Sequence, residues 1–268
     1  MKTRDAMDDA GRRLSLAGVP DPLRDVSALL DAAGAGSLDE LPPDVAARFE
    51  RLVQRRVRRE PVSHLTGRRA FWMHDFIVTP DVLDPRPDTE TLVEAALSAP
   101  FETVLDLGTG SGCILLSLLY ERPRSRGTGT DISDDALAIA RRNSDVVGVA
   151  DRVIFLQSDW LADVTGMFDL IVSNPPYIST AEMADLSPEV LHEPRLALTP
   201  GGDGLDAYRT IARTAPPHLM PGGRLMVEIG AAQAEAVSGL LADVGLRNLR
   251  VIPDINGKSR VVSGEKPH

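Results

Sequence analysis

The chain has 268 residues and a formal net charge of −10, so it is long enough for one large domain or for a domain with a smaller companion. An acidic balance does not suit a protein that grips duplex nucleic acid along its whole surface, because Lys and Arg must neutralise the phosphates. A hydrophobic fraction of 43% provides for a core and excludes a wholly disordered chain. The single cysteine, Cys113, excludes an internal disulfide and a cysteine-clustered metal site, and we expect no metal.

The first twenty positions include charged residues of both signs and contain no apolar stretch like that of a secretion signal. The most apolar short run, Cys113 to Tyr120, is much too short to cross a bilayer. We therefore expect a protein of the cytoplasm with no membrane contact.

Three segments differ in their patterns. Residues 1–75 alternate apolar and charged residues at helical spacing, and the clearest helix is predicted from Asp44 to Arg59. Residues 71–90 are predicted to form a short hairpin that leads into a proline-rich turn. Residues 76–90 of this stretch form the linker to the next segment. Residues 91–268 alternate strands and helices. This pattern predicts a small N-terminal helical domain, a hairpin linker and a larger α/β domain.

The stretch from Arg48 to Arg69 is rich in arginine, in an otherwise acidic chain. A solvated helix face is one interpretation of this stretch. A docking surface for an acidic or RNA-associated partner is the other, and the sequence leaves both open.

The larger domain contains short apolar runs that we interpret as buried strands, separated by helices. They are 103–107, 127–130, 153–156, 168–172 and 224–228, with helices at about 112–121, 134–144 and 231–244 and two further strands in 249–264. Such alternation predicts a doubly wound, mostly parallel sheet with helices on both faces.

A glycine-rich loop follows the first of these strands. It contains Gly108, Thr109, Gly110, Ser111 and Gly112, after Asp106 within the strand. A dinucleotide fingerprint would place its third glycine where Cys113 stands. The pattern Asp-x-Gly-x-Gly-x-Gly instead resembles the nucleoside loop of S-adenosylmethionine methyltransferases, and the Asp106 carboxylate favours a cationic ligand over a pyrophosphate. A tight turn without a ligand is the alternative.

A second acid, Asp131, ends the next strand. Because the carboxyl ends of neighbouring parallel strands face one crevice, its carboxylate can accept hydrogen bonds from both ribose hydroxyls, with Ile132 beside it. Capping of the following helix by Ser133 is compatible with this role. Asp159 and Trp160 follow the third strand and are expected to flank the adenine, and a surface turn is the alternative for this pair.

The sequence Asn174-Pro175-Pro176-Tyr177 follows the fourth strand of this domain. Two prolines cannot continue a central strand and lack N–H donors, so the chain leaves the sheet here as a stiff loop. The remaining acceptors are the side-chain oxygen of Asn174 and the carbonyl of Pro175, and Tyr177 offers a flat face. This arrangement predicts a receptor for a planar –NH2 group whose nitrogen lone pair is aimed at a methyl donor.

Taken together, these motifs make the chain similar to the release factor glutamine N5-methyltransferases (the PrmC/HemK family) over nearly its whole length. The resemblance is carried by the runs 61–67, 85–90, 106–112, 173–177, 193–198, 201–204 and 256–264. The Asn-Pro-Pro-Tyr run is shared with enzymes that methylate amino groups of DNA and RNA, whereas the runs at 85–90 and 193–198 narrow the match. One departure is Asp84, where the family usually has an apolar residue.

The resemblance implies a Rossmann-like methyltransferase sheet of seven strands, S-adenosylmethionine as donor, with S-adenosylhomocysteine as its product, and class 1 peptide chain release factors as partners. The glutamine of their Gly-Gly-Gln motif would be the acceptor. By position, Gly108–Gly112, Asp131, Trp160 and Asn174 would contact the cofactor, and Asn174–Tyr177 would hold the substrate amide. Arg86 and Glu90 would lie near the rim of the site.

An amino-methyltransferase that acts on a base of RNA or DNA is the main alternative. The net charge and the lack of a recognisable target-recognition domain weigh against it, and the arginine-rich stretch weighs for it. A non-catalytic module that retains the cofactor fold is a second alternative, although the intact motifs argue against loss of activity.

Overall fold

The computed structural model describes residues 2–268, which form two compact units. The smaller unit extends to Arg68 and includes the separate segment Leu186–His192, and the larger unit comprises Arg69–Asp185 and Glu193–His268. The expected boundary at residue 75 differs from this division. The difference arises because Phe71 and Phe76 of the hairpin are buried in the core of the larger unit.

The smaller unit is helical. Its helices are α1 (Thr3–Leu16), α2 (Pro22–Ala33), α3 (Pro43–Val57) and α4 (Val62–Thr66). Each of the first three buries one apolar face in a common core that includes Leu14, Leu29 and Val53. The third helix was expected to run to Arg59, but it ends at Val57 because Arg59 adopts a left-handed conformation with φ of 65°.

Ion pairs connect the elements of this unit. Arg56, whose side chain is only 5% exposed, lies 2.7 Å from Asp25 of α2 and 3.0 Å from Glu189. Arg59 also binds Glu189, so two arginines hold the segment Leu186–His192. Arg48 and Arg55 pair with acids of the same unit. Much of the positive charge expected from Arg48–Arg69 is therefore neutralised within the protein.

The larger unit begins at the second residue of a hairpin, which is formed by β1 (Arg68–Phe71) and β2 (His74–Ile77). The hairpin is followed by α5 (Glu90–Leu97) and a seven-stranded sheet. Its other elements are β3 (Thr103–Leu107), α6 (Cys113–Glu121), β4 (Arg126–Asp131), α7 (Asp134–Val147), β5 (Val153–Gln157), β6 (Phe168–Ser173), α8 (Arg195–Leu198), α9 (Asp206–Thr214), β7 (Leu219–Glu228), α10 (Ala234–Asp243), β8 (Arg247–Pro253) and β9 (Ser259–Glu265).

The strands of the large sheet lie in the order β5-β4-β3-β6-β7-β9-β8. The first five are parallel, and β9 is antiparallel to both β7 and β8. The predicted fold class is thus confirmed. The direction of winding reverses between β3 and β6, and ligands of doubly wound sheets bind at such a switch point, beyond the carboxyl ends of the strands.

The register of the central strands brings the motifs together. Leu107, the last residue of β3, is paired with Ser173, the last residue of β6, and the Ser173 hydroxyl donates to the Leu107 carbonyl at 2.7 Å. The glycine loop and the Asn-Pro-Pro-Tyr loop therefore leave the sheet side by side.

No helix within residues 2–268 combines the length and the apolar character needed to cross a bilayer.

Candidate active site

A cavity of about 450 Å³ lies within the larger unit, at the carboxyl ends of the parallel strands. Of the predicted site residues, the structure brings together along its wall Arg86, Gly108, Thr109, Gly110, Ser111, Asp131, Ile132, Asp159, Trp160, Asn174 and Pro176. Residues from four strand ends and from the proline-rich turn thus face one space, as expected of a ligand site in this fold.

The glycine loop is held open by its backbone conformation. Gly108, Gly110 and Gly112 have φ of 67°, 54° and 83°, values that a residue with a Cβ rarely adopts. At Gly110 a Cβ would meet no other atom within 4 Å, so the loop leaves room for a ligand there. At Gly112 a Cβ would lie 2.9 Å from Leu116, so this glycine serves the packing of α6 and does not line the cavity.

Asp106 differs from its predicted role as a cofactor contact. Its side chain is fully buried behind the loop, where Oδ2 accepts a 2.7 Å hydrogen bond from the Thr109 hydroxyl. Burial raises the pKa of Asp106 to about 7. The structure thus places this acid as a support of the loop rather than on the cavity wall.

Asp131 fixes the loop from the neighbouring strand. Its two carboxylate oxygens accept N–H hydrogen bonds from Gly110 at 2.9 Å and from Ser133 at 3.0 Å. Burial raises the pKa of Asp131, and these backbone donors oppose that shift. Ser133 also caps α7 through a 3.2 Å bond from the Ala136 N–H, so the acid and the cap operate together.

Trp160 has a strained backbone. Its φ of 53° is unusual for a bulky residue, and such conformations concentrate at functional sites. Its ring reaches within 4.0 Å of the position that a Cβ on Gly108 would occupy. The indole therefore forms a wall of the cavity directly beside the glycine loop.

Asn174 lies next to the glycine loop and lines the cavity with Pro176. Its Nδ2 donates to the Thr89 hydroxyl at 3.3 Å. Pro175 is buried and is not on the cavity wall. Tyr177 is not on that wall either: it packs against the core, and burial raises the pKa of its phenol, which faces Glu228 and Arg260, to about 12.

The proline-rich turn supplies the rim. Arg86 binds the buried Glu193 at 2.5 Å, and Glu193 also accepts the Asp84 N–H at 3.3 Å. Asp84 is buried, and Arg69, 3.7 Å away, supplies a compensating charge. Glu90 does not line the cavity, because its carboxylate accepts the N–H of Trp72 at 2.8 Å in the hairpin turn.

Sequence reasoning missed several residues of the wall. They are Asp81, Val82, Leu83, Asp84, Pro85, Thr89, Cys113, Ile114, Ser133, Ala136, Ser158, Pro194, Leu196, Ala197, Thr199, Pro200, Asp206, Ala207 and Thr210. Thr89 lies inside the Pro-Arg-Pro-x-Thr-Glu run, so the motif pointed to it, but no local pattern assigned it a contact.

Comparison with known proteins agrees with this geometry. Residues 81–206 match the model of the methyltransferase small domain, and residues 5–67 match that of the PrmC N-terminal domain. The release factor glutamine methyltransferase of Cereibacter sphaeroides is 53% identical, and the alignment covers 100% of this chain and 99% of that protein. This chain belongs to the release factor glutamine methyltransferase family.

Further relatives support the assignment to this family. The release factor glutamine methyltransferase of Rhodospirillum rubrum is 46% identical over 95% of this chain and 82% of its own length. A methyltransferase from Pyrococcus furiosus of known crystal structure is 18% identical, with a TM-score of 0.58, over 74% of this chain and 92% of its own. That structure supports the fold alone. The match to the methyltransferase domain model and the two close relatives show that the chain is an enzyme of the methyltransferase class.

Proposed function

We propose that this protein transfers a methyl group from S-adenosylmethionine to the side-chain amide nitrogen of the glutamine in the Gly-Gly-Gln motif of peptide chain release factors. The observation that carries the proposal is the placement of Asn174 on the same cavity wall as the glycine loop. A donor held by the loop and an amide held by Asn174 would then meet in one space. In this proposal the protein acts in the cytoplasm, where translation is terminated.

The residues of the wall fit the cofactor. The open space at Gly110 admits a ligand against the backbone, and the Asp131 oxygens keep lone pairs for ribose hydroxyls beyond the two N–H bonds that they accept. Trp160 offers a flat apolar face to the adenine, with Ile132 and Asp159 on the same wall. When bound, the cofactor supplies an electrophilic methyl group on a sulfonium and leaves as S-adenosylhomocysteine.

The acceptor needs orientation more than it needs a base. An amide nitrogen is a poor nucleophile because its lone pair is delocalised into the carbonyl. The side-chain oxygen of Asn174, which lines the cavity, accepts one of its N–H bonds and directs the lone pair at the methyl group. Such positioning accounts for a large part of the rate gain in reactions of two bound groups. Pro176 and Arg86 border the same space and would contact the substrate peptide.

Transfer of label decides between substrates. Purified protein is incubated with methyl-labelled cofactor and either release factor or stripped ribosomal RNA, and the product is located by mass spectrometry. We expect label on the Gly-Gly-Gln glutamine. Label in RNA and none in the release factor would instead support the base amino-methyltransferase.

The role of Asn174 has its own test. Asn174→Ala should leave cofactor affinity within about tenfold, or 1.4 kcal/mol, because other groups hold the cofactor. Methyl transfer should fall by at least about 100-fold, the usual effect of losing one positioned hydrogen-bonding group in an active site. The exposed Asn256 provides the control, and Asn256→Ala should transfer at the wild-type rate. Wild-type turnover in Asn174→Ala would remove this residue from the mechanism.

The helical unit supplies the partner contact in this proposal. Arg51 and Arg58 are exposed members of the arginine-rich stretch, unlike the paired Arg56. Changing both to serine should weaken release-factor binding and reduce its salt dependence, because fewer charges are screened. Arg250→Ser, an exposed arginine of β8, is the matched control. Unchanged binding and salt dependence would favour a merely solvated face.

A further inference from the structure

A chain of polar side chains runs from Asn174 into the protein. The Asn174 amide nitrogen donates to the Thr89 hydroxyl oxygen at 3.3 Å. Thr89 lies beside the carboxyl group of Glu228, the last residue of β7, and its hydroxyl lowers the pKa of that group, as a hydrogen-bond donor does. Thr89 and Glu228 are only 2% and 1% exposed, so water does not compete for these bonds.

The chemistry of the three groups fixes the direction of the chain. A carboxylate only accepts hydrogen bonds, and a hydroxyl has one proton to donate. When Thr89 donates that proton to Glu228, its oxygen is left to accept from the Asn174 –NH2. The reverse orientation of the amide would set two acceptors against each other in a buried place, which is costly.

We propose that Thr89 and Glu228 are positioning residues that turn the carbonyl oxygen of Asn174 toward the cavity. This inference rests on the proposed function, in which that oxygen accepts an N–H bond from the substrate amide. A rotated Asn174 would present its own –NH2 to the substrate –NH2, and two donors cannot bind each other. The short chain thereby selects the productive orientation before substrate enters.

The surroundings of Glu228 hold the chain in place. The Tyr208 hydroxyl donates to the Glu228 backbone carbonyl at 2.9 Å and fixes the end of the strand. Burial raises the pKa of Glu228 to about 7, opposed by Thr89 and by the positive charge of Arg260. Arg260 is itself held by Asp88 at 2.7 Å and by Asp254 at 3.2 Å. Above this pKa the carboxyl group is ionised and accepts from Thr89.

Two substitutions at Thr89 separate positioning from packing. Thr89→Val keeps the shape of the side chain and removes the hydroxyl, whereas Thr89→Ser keeps the hydroxyl and removes a buried methyl group. Assayed at about pH 8, where Glu228 is ionised, Thr89→Val should lower kcat at least about tenfold, with a smaller change in cofactor affinity. Thr89→Ser should restore most of kcat.

A packing role predicts the opposite order, because serine leaves a small void and valine does not. Wild-type kcat in Thr89→Val, or a Thr89→Ser enzyme as slow as Thr89→Val, would overturn the inference. Glu228→Gln retains a carbonyl acceptor for Thr89 and should keep more activity than Glu228→Leu, which retains none. Equal loss in these two variants, both folded by circular dichroism, would also count against it.

A readout without substrate keeps the two proposals distinguishable. The side-chain –NH2 signals of Asn174 in a nitrogen–proton NMR spectrum are assigned by their loss in Asn174→Asp. They should exchange slowly with water in the wild type and in Thr89→Ser, and faster in Thr89→Val. If wild-type protein does not methylate release factor, the proposed function fails, and the exchange rates still decide the orientation of Asn174. Equal exchange in all three proteins would refute the polar chain.

Discussion

Removing the charge of Asp106 should change how stability depends on pH. The carboxyl group is fully buried, and desolvation, assisted by the negative charge of Asp131, raises its pKa from 3.8 to about 7. In the folded protein it therefore keeps its proton up to about pH 7, whereas the unfolded chain loses it near pH 3.8. Between these values the folded state binds more protons, so stability falls as pH rises.

The magnitude follows from that shift. Each pH unit between the two pKa values costs about 1.4 kcal/mol of folding free energy, so the interval from about pH 5 to about pH 7 costs roughly 3 kcal/mol. Asp106→Asn cannot titrate and avoids this cost. Its free energy of unfolding, minus that of the wild type, should therefore rise by roughly 3 kcal/mol from about pH 5 to about pH 8.

Urea unfolding of the cofactor-free protein at four pH values measures this difference. Glu228, whose pKa is also about 7, is present in both proteins and cancels in the subtraction. Asp169→Asn is the control, because hydrogen bonds from the Thr103 and Glu102 backbone outweigh burial and lower the pKa of Asp169. Its loss of stability should stay constant over this range and diminish only in stronger acid. A flat difference for Asp106→Asn would refute the argument.

Two further substitutions test the packing around the site and the smaller unit. A Cβ at Gly204, where φ is 80°, would overlap the carbonyl oxygen of Tyr177, so Gly204→Ala should lower methyl transfer and the melting temperature together. Gly257, with φ of 77° and no atom within 4 Å of the position that a Cβ would occupy, is the control, because alanine there should cost only backbone strain. Equal losses of melting temperature in Gly204→Ala and Gly257→Ala would show that the overlap with Tyr177 does not matter. Glu189→Ala should destabilise the protein by about 1–3 kcal/mol in urea unfolding, because the nearly buried Arg56 loses a partner. No change there would show that Asp25 alone satisfies Arg56.

The sequence predicted the sheet well because its signals are local. The strand predicted at 103–107 is observed at Thr103–Leu107, and that predicted at 168–172 extends by one residue to Ser173. Short apolar runs bounded by glycine or proline need little context to be recognised as buried strands. The glycine loop and Asn174 were placed at strand ends for the same reason, and the register of β3 with β6 brings them together.

Contacts between distant segments could not be predicted. Glu189 looks like a surface acid in the sequence, yet it binds Arg56 and Arg59 and draws its segment into the smaller unit. Glu90 belongs to a motif near the site. Its carboxylate instead accepts a hydrogen bond from the backbone N–H of Trp72, whose φ of 55° marks a strained turn. Such pairings depend on how the chain returns on itself, which periodicity does not record.

The two motifs of the site are supported in the same way. Behind the glycine loop, buried Asp106 accepts a hydrogen bond from the hydroxyl of Thr109, and behind Asn174 the buried carboxyl group of Glu228 lies beside Thr89, whose hydroxyl lowers its pKa. Burial raises the pKa of both acids to about 7, so each charge destabilises the fold in neutral and alkaline solution. Apolar residues at these positions would avoid that cost, but they could not fix the direction of a hydroxyl. In the proposed function one of these loops receives a nucleoside and the other faces an amide, so the stability given up at both acids would lie where it serves function.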